Sequence, residues 1–208
     1  MENTSTDIYE ERHQQAAYTK DRIFSTANEL FKEKGFAKVT IRDICKRADI
    51  AVGTFYLHFK SKHDILYDIY KKADMVFEKE QATRREGIPA NEKLLELFRI
   101  QLSISEQCHV QPQDLKELYI YQLQSDNQYF LSEDRQFYRS LFRVVEEGKK
   151  TLQMRDDISS HDICWRLMRF SRGLIFDWCL HNCNYNLIPF ALQEISFYLE
   201  SFTAAAQT

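Results

Sequence analysis

The chain has 208 residues and a net charge of −3, which excludes a uniformly basic nucleic-acid-binding protein. The charge is unevenly distributed, because residues 16–72 contain twelve Lys or Arg against seven Asp or Glu, whereas the rest of the chain has sixteen against twenty-four. A basic end on an acidic body is the pattern expected when only one domain binds phosphates.

The sequence has five cysteines, no apolar run of about eighteen residues and no signal-like start. These features predict a reduced, cytoplasmic protein without a membrane span. Cys179 and Cys183 could share one helix face, but no second pair of residues supplies the remaining ligands of a closed zinc site. No metal and no cofactor are therefore expected. We also find no nucleophile–base pair and no glycine-rich phosphate loop. The sequence therefore favours a protein that is not an enzyme, and an all-α enzyme is the least favoured alternative.

The first elements in chain order are a polar arm and an amphipathic helix. Residues 1–15 lack a helical period and are predicted to form a flexible arm. From Tyr18 onward, Ile23, Ala27 and Leu30 recur at helical spacing, and Gly35 is placed to end the helix.

The stretch Thr40–Lys62 contains the sequence signals of two short helices around a turn. Thr40 and Asp43 form the pattern of a capping box, and Ser61 begins a second one. Residues 52–57 are predicted to form the second helix. A helix, a tight turn and a short helix make up the helix-turn-helix plan, whose second helix lies in the major groove of DNA. Residues 16–62 are therefore predicted to form a DNA-binding domain.

Residues 63–208 are predicted to form a connecting helix and a larger helical body. The connecting helix begins after Ser61 and is expected to continue as a rigid rod towards Gly87. Strand-like alternation is absent, so we predict an all-α protein of about nine helices. The body helices are expected at residues 90–107, 113–125, 132–153, 160–182 and 188–204.

The last two predicted helices carry more apolar surface than a monomer can cover. We therefore predict a homodimer in which two helices from each subunit form a four-helix interface. The residues assigned to this interface are Ile163, Leu167, Phe170, Leu174, Trp178, Ile195, Tyr198, Leu199 and Phe202.

One known family shares the residue pattern of positions 18–66. The matching positions are Ala27-Asn28-Glu29-Leu30-Phe31, Gly35-Phe36, Thr40-Ile41, Ile44, Ala48, Gly53-Thr54-Phe55-Tyr56, His58-Phe59 and Ser61-Lys62. In this register the stretch resembles the DNA-binding domain of the TetR family of transcriptional regulators. The resemblance implies a homodimer that binds a palindromic operator in double-stranded DNA and represses transcription until a small molecule enters the body.

Seven residues of this stretch are predicted to contact DNA. A glycine in the recognition helix allows close approach to the duplex, hydroxyl groups can bond to phosphates or bases, and an ammonium at a helix start can bind a phosphate. Ala51 stands where the family often has Ser or Thr, so one phosphate hydrogen bond is expected to be missing. The predicted contacts are Thr40, Val52, Gly53, Thr54, Tyr56, His58 and Lys62.

The body contains more aromatic residues than helix packing requires, and this surplus predicts a mostly apolar cavity for a hydrophobic effector. A dimeric DNA-binding protein without a small effector remains the alternative, and a solidly packed body would favour it. The residues predicted to line the cavity are Phe98, Leu102, Tyr119, Phe137, Leu141, Trp165 and Phe176.

Overall fold

The computed structural model describes residues 4–79, 86–107, 112–124 and 129–204, and in these ranges the chain is helical without a β-strand. Nine described helices have seven residues or more, and α5 is a single turn, so the all-α prediction is confirmed. The helices are α1 Thr4–Lys34, α2 Ile41–Arg47, α3 Val52–His58, α4 Lys62–Asp74, α5 Val76–Lys79, α6 Ala90–Gln107, α7 Pro112–Gln124, α8 Gln136–Lys150, α9 Ser160–Leu180 and α10 Leu187–Glu200.

Helices α1, α2 and α3 close a small apolar core within the predicted DNA-binding domain. Ile23, Phe31, Ile44 and Phe55 are fully buried there, and Ile41 is half-buried. Because α2 and α3 have only seven residues each, neither would be stable outside this packing. We call these three helices the head.

The start of α1 differs from the prediction, because the helix begins at Thr4 where a flexible arm was expected. Residues 10–18 are exposed, so packing does not explain the extension. Glu, Arg, Gln and Ala dominate this segment and all have high helix propensity. The missing amphipathic period therefore indicated an unpacked helix rather than the absence of one.

Both predicted capping boxes are present. The Thr40 hydroxyl accepts a hydrogen bond from the Asp43 amide at 3.2 Å, and the Thr40 amide donates to the Asp43 carboxylate at 2.9 Å. Ser61 and Asp64 make the same pair of bonds at the start of α4. Such caps are typically worth about 1 kcal/mol each.

The predicted connecting rod ends at Asp74, and the chain turns at Met75 before α5 begins. The carboxylate of Asp74 is buried, where it accepts from the Gln136 amide at 2.8 Å and from Arg135 Nη2 at 3.2 Å. Asp74 thereby caps the start of α8 and pairs with a buried guanidinium. These contacts fix the end of α4 against the body. The prediction of one long helix from Ser61 towards Gly87 is wrong, because α4 ends at Asp74.

The remaining helices form the body. Helix α6 packs against α8 and α10, α8 packs against α9, and α7 lies between α4 and α9. Phe98 and Phe137 meet at the centre with their ring centroids 5.4 Å apart. Among the described helices, none is long and apolar enough to cross a membrane.

Gly148 gives a test of how tightly the body is packed. A Cβ atom at this position would lie 2.8 Å from both Ala90 Cβ and Met154 Cγ, so we expect Gly148→Ala to destabilise the protein by about 1–3 kcal/mol. Gly53 is the control, because a Cβ there meets nothing within 4 Å. Urea unfolding at one protein concentration should show a clear loss for Gly148→Ala and no loss for Gly53→Ala.

Candidate functional site

Helix α3 presents an exposed face formed largely by apolar and aromatic side chains. Phe55 is fully buried against the head, whereas Tyr56 is 54% and Leu57 82% exposed, and Val52 is also exposed. A seven-residue helix that leaves such side chains in solvent has a surface suited to a partner. The exposed Leu57 was not among the predicted DNA contacts.

Gly53 has no role in the packing of the head that would require a glycine. The residue is exposed and its surroundings are open. A glycine inside a helix costs about 0.5–1 kcal/mol relative to alanine, so its presence here is unexplained by the fold itself. Close approach of a partner surface to α3 would explain it.

The other predicted contacts on the head differ in how available they are. Thr54 and His58 are half-buried and Thr40 is exposed. The Thr40 hydroxyl also donates to the Asp43 carboxylate at 2.6 Å. A bond from this hydroxyl to a phosphate would therefore replace a bond that belongs to the cap of α2.

Lys62 is placed differently from the predicted phosphate contact. Its ammonium donates to the carbonyl oxygens of Phe36 at 2.8 Å and Val39 at 3.0 Å, and it lies 4.3 Å from the centroid of the Phe36 ring. These contacts turn the side chain inward, towards the Phe36–Lys38 turn. In this structure Lys62 braces α4 against the head.

The first turn of α4 also contacts the body. The ring of His63 is stacked on Tyr121 of α7 with centroids 4.8 Å apart, and its edge meets Phe36 at 4.9 Å. The Tyr121 hydroxyl donates to Asp64 Oδ1 at 2.7 Å. Burial, aided by the charge of Lys62, lowers the pKa of His63, so the stacked ring is favoured in its neutral form. We call these contacts the head–body junction.

A cavity lies inside the body between α4, α6, α7 and α9. Its enclosed volume is about 30 Å³, which is enough for little more than a water molecule. Its wall is more polar than an aromatic-rich core predicts. The polar members are Asp74, Gln101, Ser105, Arg135, Ser171 and Arg172.

Of the seven residues predicted to line this cavity, only Tyr119 does so. Phe98, Leu102, Phe137 and Leu141 are fully buried in the packed core. Trp165 is half-buried and donates to Glu133 at 3.0 Å, and Phe176 is half-exposed. The spacing of apolar residues could not separate a cavity wall from a core. Arg172, which does line the cavity, was not among the predicted residues, and the sequence does not distinguish it from the other arginines of α9.

The predicted dimer face is largely wrong for a related reason. Most of its members are buried within the monomer, and Phe170, Leu174 and Tyr198 are half-buried beside a surface groove. On the outer side of α9 and α10, Leu180 is 64% and Phe197 76% exposed. Both helices are apolar on two sides, so periodicity alone did not identify the outer one. The buried members are Ile163, Leu167, Trp178, Ile195, Leu199 and Phe202.

Comparison with known proteins identifies the head. Residues 23–69 match the model of the family described as bacterial regulatory proteins, tetR family. The chain is 51% identical over 47 residues to an uncharacterized HTH-type transcriptional regulator, YerO, of Bacillus subtilis, covering 23% of this chain and 16% of YerO. It is 31% identical over 98 residues to the HTH-type transcriptional repressor KstR2 of Mycolicibacterium smegmatis, covering 47% of this chain and 48% of that protein. The chain thus spans less than half the length of these curated relatives.

The likeness in three dimensions extends beyond the head. A crystal structure of the transcriptional regulator FadR from Bacillus subtilis, in complex with stearoyl-CoA, superimposes with a TM-score of 0.58 at 22% identity. The superposition covers 86% of this chain and 96% of that one. The body therefore has the same fold as that regulator.

Gly53 allows the role of α3 to be tested separately from stability. We expect Gly53→Ala to bind duplex DNA at least tenfold more weakly, because the added methyl group would prevent close approach of the duplex to α3. A loss of about 1.4 kcal/mol in binding free energy gives that factor. Fluorescence anisotropy with a labelled duplex measures the affinity. Thermal unfolding should show equal or higher stability for the same variant, and an unchanged DNA affinity would contradict the assignment of α3 as the contacting helix.

Proposed function

We propose that the chain is a member of the TetR family of bacterial regulatory proteins, whose model its head matches, and that it is a homodimeric transcriptional repressor that leaves a palindromic operator when a small molecule binds its body. The observation that carries the proposal is the exposed face of α3 around Gly53, within a head whose sequence matches the family. On this proposal, Val52, Gly53, Thr54 and Tyr56 meet base edges or phosphates.

Duplex DNA from upstream of the chain's own coding sequence provides the direct test. We expect a specific shift that survives excess unrelated DNA and weakens steeply as salt rises, because phosphate contacts release counterions. Tyr56→Ala should reduce the affinity, since the exposed ring and hydroxyl are removed without a loss of core packing. A duplex bound no better than unrelated DNA, measured at the same salt, would count against a regulator of its own promoter.

Dimerisation is part of the proposal, because two heads about 34–36 Å apart can dock in successive turns of the major groove. The apolar outer side of α9 and α10 supports it, with Phe170, Leu174, Leu180, Phe197 and Tyr198 as its members. Gly173 is exposed on the same side, with open space around it. A second copy could approach the helix closely there.

Phe197→Asp tests this interface. A buried, unpaired carboxylate is costly, so we expect the variant to sediment as a monomer at micromolar concentration, where the unaltered chain sediments as a dimer. Leu123→Asp is the matched control, because Leu123 is 84% exposed on α7, a helix that is not part of the proposed interface. Equal sedimentation of the two variants would rule out the proposed interface.

A DNA-binding dimer without a small effector is the second candidate, and the small volume of the cavity favours it. The polar wall favours an effector. Charged side chains are seldom buried without a full set of partners, and a wall that contains Arg172 without a carboxylate partner is costly for a core with no ligand. We therefore retain effector control as the leading proposal.

A further inference from the structure

We propose that the effector is an organic anion, with one carboxylate-like or phosphate-like group bound by Arg172 and Tyr119 and an apolar body inserted among the aromatic side chains of the cavity. This inference rests on the proposed function, because it names the chemical class of the small molecule that the body would bind.

Arg172 is a cation on the cavity wall without a carboxylate partner. It lies half-buried on α9, and its Nη1 donates to the Phe130 carbonyl at 2.8 Å. In the described part of the chain no Asp or Glu forms an ion pair with it. Its charged neighbours are Arg135 and Arg169, and burial together with these two cations lowers its pKa. The guanidinium carbon lies 5.7 Å from the centroid of the Trp165 ring. A guanidinium has five N–H donors, so donors beyond the one that bonds to Phe130 can serve a ligand.

Arg135 differs, because its charge is matched. Its guanidinium pairs with Asp74, and both side chains are more than nine-tenths buried. The pair is therefore neutral overall, which leaves Arg172 as the uncompensated charge among the described residues of the wall. The Nε–H of Arg135 is buried without an acceptor among the described groups, which places an unsatisfied donor on the same wall.

The hydroxyl of Tyr119 completes the set of donors. Burial raises the pKa of Tyr119, so it remains a neutral hydroxyl that can donate to an anion. Two acceptors on the wall are already engaged, since Gln101 Oε1 accepts from the Ser171 hydroxyl at 2.9 Å and the Asp74 carboxylate accepts from Arg135 and the Gln136 amide. Unmatched donors that surround an uncompensated positive charge fit an oxyanion, and they do not fit a cation.

The rest of the wall determines the shape of the molecule. Tyr70, Phe77, Leu115, Phe130 and Met168 provide aromatic and aliphatic surface. Because the enclosed volume is about 30 Å³, a ligand must displace a side chain to enter. Phe130 is half-buried, belongs to the short turn Tyr129–Leu131, and stacks on Tyr119 with centroids 6.0 Å apart. Outward rotation of the Phe130 side chain would create space beside Arg172, whose bond to the Phe130 backbone carbonyl can persist.

Matched pairs of charged and neutral compounds test the proposal. Octanoate is compared with octanamide, and 1-naphthoate with 1-naphthamide, by thermal shift and calorimetry at up to millimolar concentrations. We expect at least one carboxylate to bind at least tenfold more tightly than its amide, and Arg172→Met to abolish that preference. The compound 1-naphthyl phosphate is added as a separate arm, and tighter binding of it than of 1-naphthoate would identify a phosphate as the preferred group. Equal binding of acids and amides, or no binding of any anion of the set, would overturn the inference.

A second measurement needs no ligand. Arg172→Met removes an unpaired charge, so we expect an equal or higher melting temperature. Arg135→Met is the control, because it leaves the Asp74 carboxylate buried without its partner and should lower the melting temperature. If Arg172→Met lowers the melting temperature as much as Arg135→Met does, Arg172 is a structural residue and the anion site is wrong.

The same variants separate this inference from the proposed function. Arg172→Met should still bind the operator duplex, because the substitution lies in the body. Operator binding by the unaltered chain without any preference for anions would refute the anion site alone. A preference for anions without operator binding would refute the repressor and leave the anion site supported.

Discussion

The carboxylate of Asp64 connects the two parts of the molecule. Its Oδ2 accepts from the amides of Lys60 at 2.8 Å and Ser61 at 3.0 Å, which caps α4, while its Oδ1 accepts from the Tyr121 hydroxyl at 2.7 Å. One charged group thus fixes the start of the connecting helix and contacts a helix of the body. Hydrogen bonds to a charged acceptor are worth about 1.5–3 kcal/mol each, so a change at Tyr121 acts directly on the cap that orients the head.

Residues on either side of Asp64 in sequence extend this connection. The Lys62 ammonium binds the carbonyls of Phe36 and Val39, and the ring of His63 lies between Phe36 and Tyr121. Three consecutive residues of α4 therefore contact the turn after α1, the cap and the body. A displacement of α7 cannot leave this turn of α4 unchanged, so the head should move with the body rather than independently of it.

The sequence predicted those features that depend on local chemistry. The capping boxes at Thr40 and Ser61 were identified from residue types three positions apart, and the body helices begin or end within a few residues of their expected limits. The prediction of the dimer face from the sequence was wrong because α9 and α10 are each apolar on two sides. Leu199 and Phe197 lie on opposite sides of α10, one buried and one exposed, and packing against α6 and α9 determines which side is inner. The role of Lys62 depends on carbonyls more than twenty residues away, which no local pattern encodes.

Helix α7 gives the proposed effector site a route to the head. Tyr119 faces the cavity and Tyr121 faces Asp64, because residues two apart on a helix point in nearly opposite directions. A molecule that displaces Tyr119 would therefore push the helix that carries Tyr121. The turn that contains Phe130 offers a second route, since Tyr129 meets Tyr67 of α4 at 4.9 Å. Both routes end on α4, so a ligand that binds beside Arg172 can change the position of the head without contacting it.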